Sequence, residues 1–159
     1  MDRAEFILER SKAAREYFHQ GYNCCQSVLL AFQDMTSLEP GPLAKAGAGM
    51  GGGVGRLREV CGAVSAMGII SGFLLPYSPG DNEAKKNNYA LVQNLSSEFK
   101  SRKGSIVCRE LLGLRQAAGK PNPAPAPRTE GYYHSRPCEK MVGDSAEILA
   151  AYVFDNLKP

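Results

Sequence analysis

A run of glycines near the middle of the chain restricts the fold more than any other feature of this sequence. Six glycines lie between Gly47 and Gly55, and residues 51–53 are three in succession. Each glycine inside a helix or strand costs about 0.5–1 kcal/mol relative to alanine, which disfavours regular structure here. The sequence therefore predicts a loop whose backbone needs positive φ values, or approaches another group too closely for a Cβ atom.

A central helix is predicted directly after this loop. Apolar residues recur there at helical spacing, which predicts a helix from about residues 57–58 to Leu75, ahead of Pro76. These apolar positions are Val60, Val64, Met67, Ile70 and Leu74. Cys61 would lie in or near the first turn, where the helix dipole lowers a thiol pKa. We interpret the loop and Cys61 as the centre of the protein.

Capping residues predict the other helices. Asn23 and Gln26 form a capping-box pattern, while Asp2 and Asp81 are good N-caps and Gly104 is a good stop. The predicted helices cover about residues 3–20, 24–35, 43–48, 82–103, 106–112 and 137–157. Residues 114–137 are predicted to be a long Pro-rich loop, partly in the polyproline II conformation. The fold class is therefore all-α, a compact bundle of about five to seven helices in a single domain, residues 1–159.

Composition and charge exclude several function classes. The net charge is only +3, and the basic residues between Lys85 and Lys103 lack interleaved aromatic residues, which argues against nucleic-acid binding. The apolar run of residues 60–75 is too short for a membrane span, and the charged N-terminus does not resemble a signal peptide. We therefore expect a cytoplasmic protein. Five cysteines in a reducing compartment favour metal binding or redox chemistry over structural disulfides.

The cysteines share a position in the predicted helices. Four of them fall in the first turn of different helices: Cys24, Cys61, Cys108 and Cys138. If these helix ends meet, their backbone N–H groups would stabilise thiolates that bind a metal or attack a disulfide. Glycines without side chains would let main-chain amides approach such an anionic centre; the candidates are Gly51, Gly52, Gly53 and Gly55.

Other candidate residues have simpler interpretations. A buried free cysteine often acts as a small apolar residue, and we assign this packing role to Cys25. We expect His19 and His134 to lie at the surface or in loops. Arg56, Arg58 and Glu59 flank the glycine loop and could hold an anion, pair with each other or form a solvated cluster. The glycine run lacks the residues of phosphate-binding motifs, and no Cys-x-x-Cys pair indicates a zinc ribbon.

The joint pattern resembles the family of redox-active proteins named for its C_GCAxxG_C_C cysteine signature. Asn23-Cys24, the glycines leading to Glu59-Val60-Cys61-Gly62-Ala63-Val64, the segment Cys108-Arg109-Glu110-Leu111-Leu112-Gly113, and Cys138 before a C-terminal helix carry the resemblance. Ala66 stands where the signature has glycine, and Cys25 is an addition. The resemblance implies a redox role for the four cysteines, and it names no substrate.

Three hypotheses follow. In the first, the four cysteines converge on a metal or iron–sulfur site for electron transfer, because soft thiolates suit iron–sulfur clusters, zinc or iron. In the second, a pair such as Cys24 and Cys61 acts as a metal-free thiol–disulfide oxidoreductase. In the third, the cysteines only fill the core of a helical binding module. The redox partner is unknown, and a homodimer is suggested by the apolar content and the long proline loop.

Overall fold

The computed structural model describes residues 1–115 and 120–157. These residues contain eight α-helices and no β-strand, so the all-α prediction is confirmed. The helices are α1 (Arg3–His19), α2 (Cys24–Ala31), α3 (Pro40–Gly47), α4 (Gly62–Leu74), α5 (Asn82–Lys103), α6 (Cys108–Leu111), α7 (Glu130–Ser135) and α8 (Cys138–Leu157). Short 3-10 turns follow α2 at Gln33–Met35 and α3 at Ala48–Met50.

The short helix α2 lies at the centre of the bundle. It packs against α1, α3, α4 and α8, and six of its eight residues are buried. The most extensive helix–helix contact joins α1 to α8. There the ring centroids of Phe6 and Phe154 lie 5.7 Å apart. Helix α4 packs between α2 and α5, with Met67 and Ile70 inside the core. Burial of these apolar faces, rather than intrinsic propensity, stabilises such short helices.

Side-chain caps fix the helix starts as the sequence predicted. Asp2 and Asp81 each accept a hydrogen bond from the backbone three residues on, at 2.8 and 3.0 Å. Asn23 and Gln26 form a reciprocal capping box at the start of α2. Gly104 ends α5 with a φ of +88°. The start of α2, and with it the position of Cys24, is therefore determined locally.

The central helix begins later than its apolar pattern predicted. Helix α4 starts at Gly62 instead of residues 57–58, and Cys61 is its N-cap. Val60 continues the helical spacing, but it pairs in an antiparallel bridge with Val107 instead. Arg58 has a φ of +61°, which no right-handed helix accommodates. The glycine loop thus extends its irregular backbone into the first predicted turn.

Other boundaries also differ from the prediction. Helix α2 ends at Ala31, α3 spans Pro40–Gly47, and α6 is shorter than predicted, at Cys108–Leu111. Helix α7 forms within the segment predicted to be a loop, where Thr129 caps it by accepting a hydrogen bond from the Tyr132 amide. The part of that loop prediction that falls on residues 116–119 lies outside the described residues. Across the described residues, no helix has the length and apolar character needed to cross a bilayer.

Candidate thiol site

The glycine loop adopts a left-handed turn. Gly52, Gly53 and Gly55 have φ values of +66°, +69° and +58°, which confirms the predicted need for positive φ. Val54 and Arg56 between and after them are also left-handed, at +65° and +63°. A left-handed conformation costs roughly 1–2 kcal/mol for a residue with a Cβ atom. Val54 and Arg56 are therefore strained, whereas the three glycines are not, and such strain is typical of functional sites.

Because glycine has no Cβ atom, the loop also packs closely against its neighbours. A Cβ atom on Gly51 would lie 2.7 Å from the Cβ atom of Asn23. A Cβ atom on Gly62, the first residue of α4, would lie 2.9 Å from the carbonyl oxygen of Met50 and 3.2 Å from the Cβ atom of Cys24. Real Cβ contacts of this length are rare, so these positions favour glycine. The backbones of the loop and of the start of α4 therefore pack directly against the start of α2, with no side chain between them.

Backbone hydrogen bonds join the segment that contains Cys61 to the segment that contains Cys108. The amide of Cys61 donates a 2.8 Å hydrogen bond to the carbonyl of Ile106. The amide of Cys108 donates a 2.6 Å hydrogen bond to the carbonyl of Glu59. The two bonds flank the bridge between Val60 and Val107. The backbone of the loop therefore fixes where α6 begins and where Cys108 lies.

A cavity of about 420 Å³ lies between the loop and the starts of these helices. All four cysteines of the predicted site line it: Cys24, Cys61, Cys108 and Cys138. Three of them open α2, α6 and α8, and Cys61 caps α4. The predicted loop glycines line the same cavity, namely Gly51, Gly52, Gly53 and Gly55. The structure thus brings the whole predicted residue set to one place, with all the cysteines as free thiols.

Cys25 has a different environment from its neighbour Cys24. It is completely buried in the core and is absent from the cavity wall. Burial raises the pKa of its thiol to about 12. These observations support the packing role that the sequence suggested for Cys25.

Cys24 and Cys138 interact, and their thiol pKa values are shifted in opposite directions. A hydrogen bond from Cys24 lowers the pKa of Cys138 to about 7, and the Arg136 and Arg128 guanidinium groups and the Tyr132 hydroxyl help, while burial opposes them. The same hydrogen bond, together with burial, raises the pKa of Cys24 well above its ordinary value. Near neutral pH the Cys138 thiol is therefore partly deprotonated, while Cys24 stays protonated.

The predicted lowering of thiol pKa at helix starts is thus wrong for two of the four cysteines. Besides Cys24, Cys61 has a pKa that burial raises to about 12, although it caps α4 and is stabilised by the amides of Ala63 and Val64. The cost of burying a charged sulfur exceeds the benefit of the helix end at these positions. Cys138 differs because it also has the neighbouring cations and hydrogen-bond donors.

Four arginines also line the cavity: Arg56, Arg58, Arg128 and Arg136. The Nη1 atom of Arg58 lies 3.7 Å from the sulfur of Cys108. The guanidinium of Arg128 donates to the carbonyls of Phe18 and Tyr22, at 2.9 and 3.0 Å. Sequence reasoning noted the loop arginines but missed Arg128 and Arg136. Their only local signal is proximity to Cys138, since Arg128 binds carbonyls more than a hundred residues away.

The two histidines lie outside the thiol cavity. His19 stacks on Tyr133 with centroids 4.5 Å apart and contacts the Glu139 carboxylate at 2.9 Å. His134 is exposed on α7. Within residues 1–115 and 120–157, no group of three or more Cys, His, Asp or Glu side chains could hold a metal ion. The thiols surround a cavity, but they are not gathered into a coordination sphere.

Comparison with known families identifies the cysteine pattern. A family model described as "Putative redox-active protein (C_GCAxxG_C_C)" matches residues 22–152. The matched range includes all four cavity cysteines and the glycine loop. Neither the curated proteins nor the solved structures gave a match to this chain.

Proposed function

The chain belongs to the redox-active C_GCAxxG_C_C family, and on that premise we propose that Cys138 and Cys24 act as a dithiol that reduces disulfides. The observation that carries this proposal is that two free thiols, with pKa values shifted in opposite directions, line the wall of one cavity. A thiolate is the nucleophile in thiol–disulfide exchange, and its reactivity is greatest when its pKa lies near the ambient pH. Cys138 meets this condition.

The exchange proceeds in two steps that conserve electrons. The Cys138 thiolate attacks one sulfur of a substrate disulfide, forms a mixed disulfide and releases the first substrate thiolate, which takes up a proton. Cys24 then loses its proton and attacks the sulfur of Cys138, which releases the second substrate thiol. The substrate gains two electrons and two protons, and a Cys24–Cys138 disulfide remains. A dithiol reductant returns this disulfide to two thiols.

Mass spectrometry of the oxidised protein tests the assignment. After one equivalent of a small disulfide is added under nitrogen, we expect a Cys24–Cys138 crosslink in the peptide map. The variant Cys24→Ser should stop at the mixed disulfide on Cys138. The variant Cys25→Ser is the matched control, because it changes the adjacent thiol outside the cavity and should still form the crosslink. A crosslink that never includes Cys138 would refute the proposal.

A thiolate metal or iron–sulfur site is the second candidate function. The observation that favours it is the presence of all four cysteines in one cavity wall, at the starts of four helices. In that case Cys24, Cys61, Cys108 and Cys138 would be the ligands, and the metal would supply one-electron transfer. The described side chains would have to move closer together, since no three of them now form a metal-binding group.

Element analysis separates the two candidates. Under the dithiol proposal, anaerobically purified protein contains no stoichiometric iron, sulfide or zinc, and all five thiols react with a thiol reagent after unfolding. A stoichiometric metal that is lost in Cys61→Ser and Cys108→Ser would instead favour the metal site. The third hypothesis, core cysteines in a binding module, predicts neither a crosslink nor a metal.

A further inference from the structure

The thiol cavity is strongly cationic. Its wall contains the four arginines and, among the described residues, no aspartate or glutamate. None of these guanidinium groups lies within ion-pair distance of a carboxylate of residues 1–115 or 120–157. Arginines that line one cavity without a carboxylate partner are unusual, because their like charges repel and because burial removes water from each charge.

One of the four arginines, Arg56, has a buried donor without a hydrogen-bond partner among the described residues. Its Nε atom is the one buried side-chain nitrogen or oxygen without a hydrogen-bond partner in the described part of the chain. Burial and the neighbouring charges of Arg58 and Arg136 lower the pKa of Arg56. A buried donor without a partner costs about 1–3 kcal/mol, more if it is charged. A bound anion would remove both the repulsion and the unmade hydrogen bond.

The cavity also has the size and cover of a small-molecule site. Its volume of about 420 Å³ falls within the range of roughly 300–1,000 Å³ that is typical of ligand pockets. Pro123 and Pro125 line it from the proline-rich segment, and Arg128 anchors that segment to the end of α1. A cavity of this volume accommodates a small disulfide rather than a folded protein.

We propose that the substrate is a low-molecular-weight disulfide that carries carboxylate or other anionic groups, bound by Arg56 and Arg58 in the cavity that Cys138 also lines. This inference rests on the proposed dithiol function and names the class of molecule that the dithiol reduces. Arginine binds carboxylates and phosphates through paired N–H donors, so it both attracts and orients such a substrate. The exchange itself is the balanced sequence given above, with the anionic disulfide as the oxidant.

Three aliphatic disulfides that differ in charge test the inference on the full chain. They are 3,3′-dithiodipropionate, a dianion; bis(2-hydroxyethyl) disulfide, which is neutral; and cystamine, a dication. The rate of Cys24–Cys138 disulfide formation with each compound is divided by the rate at which dithiothreitol, a neutral dithiol, reduces the same compound. This ratio removes differences in intrinsic reactivity. We expect the dianion to exceed the neutral disulfide by about tenfold or more at low salt, and the dication to be slowest.

Matched variants identify the source of the preference. The double variant Arg56→Gln and Arg58→Gln should lose most of it, while Lys85→Gln with Lys100→Gln removes two exposed positive charges outside the cavity wall and should keep it. If the arginine variant fails to fold, wild-type protein gives a second measurement. Added sodium chloride should slow the reaction of the dianion and leave that of the neutral disulfide unchanged.

The outcomes separate this inference from the proposed function. Equal normalised rates for the three disulfides, with the Cys24–Cys138 crosslink formed, would overturn the anionic-substrate inference and leave the dithiol function standing. Absence of the crosslink with every disulfide would overturn both. A preference for the dianion that persists in the Arg56→Gln and Arg58→Gln variant would also overturn the assignment of these two arginines.

Discussion

A Cβ atom on Gly53 would lie 2.6 Å from the Cβ atom of Cys108, so the glycine loop meets the start of α6 where only a glycine fits. The same Cβ would also lie 2.7 Å from the backbone nitrogen of Glu59. Backbone atoms of this kind cannot rotate away. This close packing therefore fixes the position of Cys108, at the start of α6, relative to the glycine loop.

Replacement of Gly53 tests this contact. We expect Gly53→Ala to lower the free energy of unfolding by ~2–5 kcal/mol, because the positive φ and the overpacking both penalise the side chain. Urea denaturation measures the change. Gly49→Ala is the control: a Cβ at Gly49 meets nothing within 4 Å, and its φ is not positive, so its effect should be within about 0.5 kcal/mol. Equal stability of the two variants would contradict the contact.

The reactivity of Cys138 should follow pH. Its pKa of about 7 means that the thiolate fraction falls as the pH drops through 7. The rate of alkylation by iodoacetamide should therefore fall by about tenfold per pH unit below 7 and level off above about 8. In Cys24→Ala the midpoint should move upward, since the largest cause of the lowered pKa is removed.

The control for this pH profile is Cys25→Ala, which removes a thiol outside the cavity. Its midpoint should stay at about 7, as in the unmodified protein. Peptide mapping after brief alkylation reports each cysteine separately. If Cys61, with a pKa near 12, reacted faster than Cys138 at pH 7, the assignment of the nucleophile would be wrong.

Arg128 should hold the proline-rich segment over the cavity. It donates to the carbonyls of Phe18 and Tyr22, and its guanidinium carbon lies 4.1 Å from the centroid of the Phe18 ring. We expect Arg128→Ala to destabilise the protein by ~1–3 kcal/mol through the lost hydrogen bonds. Hydrogen exchange should accelerate at the amide of Ala124, which donates a 2.9 Å hydrogen bond to the Asn122 side chain.

The same variant should expose Cys138. A bulky maleimide should label it faster in Arg128→Ala, because Pro123 and Pro125 line the cavity. Lys120→Ala, which changes an exposed residue of the same segment, should leave both exchange and labelling unchanged. Unchanged labelling in Arg128→Ala would show that the segment does not limit access.

The cap of α2 should affect both stability and reactivity. Asn23 accepts from the Gln26 amide and donates to the carbonyls of Gly47 and Ala48. Loss of an N-cap costs about 0.5–2 kcal/mol, so Asn23→Ala and Asp81→Ala should both lower stability in thermal unfolding. Only Asn23→Ala should shift the alkylation midpoint of Cys138, because Cys24 is the next residue. A shift in Asp81→Ala as well would indicate a global effect.

Local signals allowed much of the fold to be predicted. Asn23, Asp81 and Gly104 form caps with their near neighbours, and such interactions can be inferred from a short stretch of sequence. For this reason the starts of α2 and α5 were predicted correctly, and Cys24 was placed at the first position of its helix. The positive φ of Gly52 and Gly53 was predictable for the same reason, since few other conformations suit a glycine run.

The features that the sequence could not predict depend on contacts between distant parts of the chain. Val60 has helical spacing with Val64, and only its bridge to Val107 removes it from the helix. The left-handed φ of Arg58 has no sequence signal. Arg128 could not be assigned to the site, because its partners belong to the end of α1. The thiol pKa values were mispredicted where burial, a tertiary property, exceeds the effect of a helix end.

The main-chain pairing at Val60 and Val107 connects two cysteine-bearing segments without using either sulfur atom. Thiols in the surroundings form and break disulfides, but they do not affect hydrogen bonds between backbone amides and carbonyls. The shape of this half of the cavity should consequently persist in oxidising and reducing surroundings alike. Under the proposed dithiol function, the sulfurs change oxidation state while the scaffold that presents them stays the same.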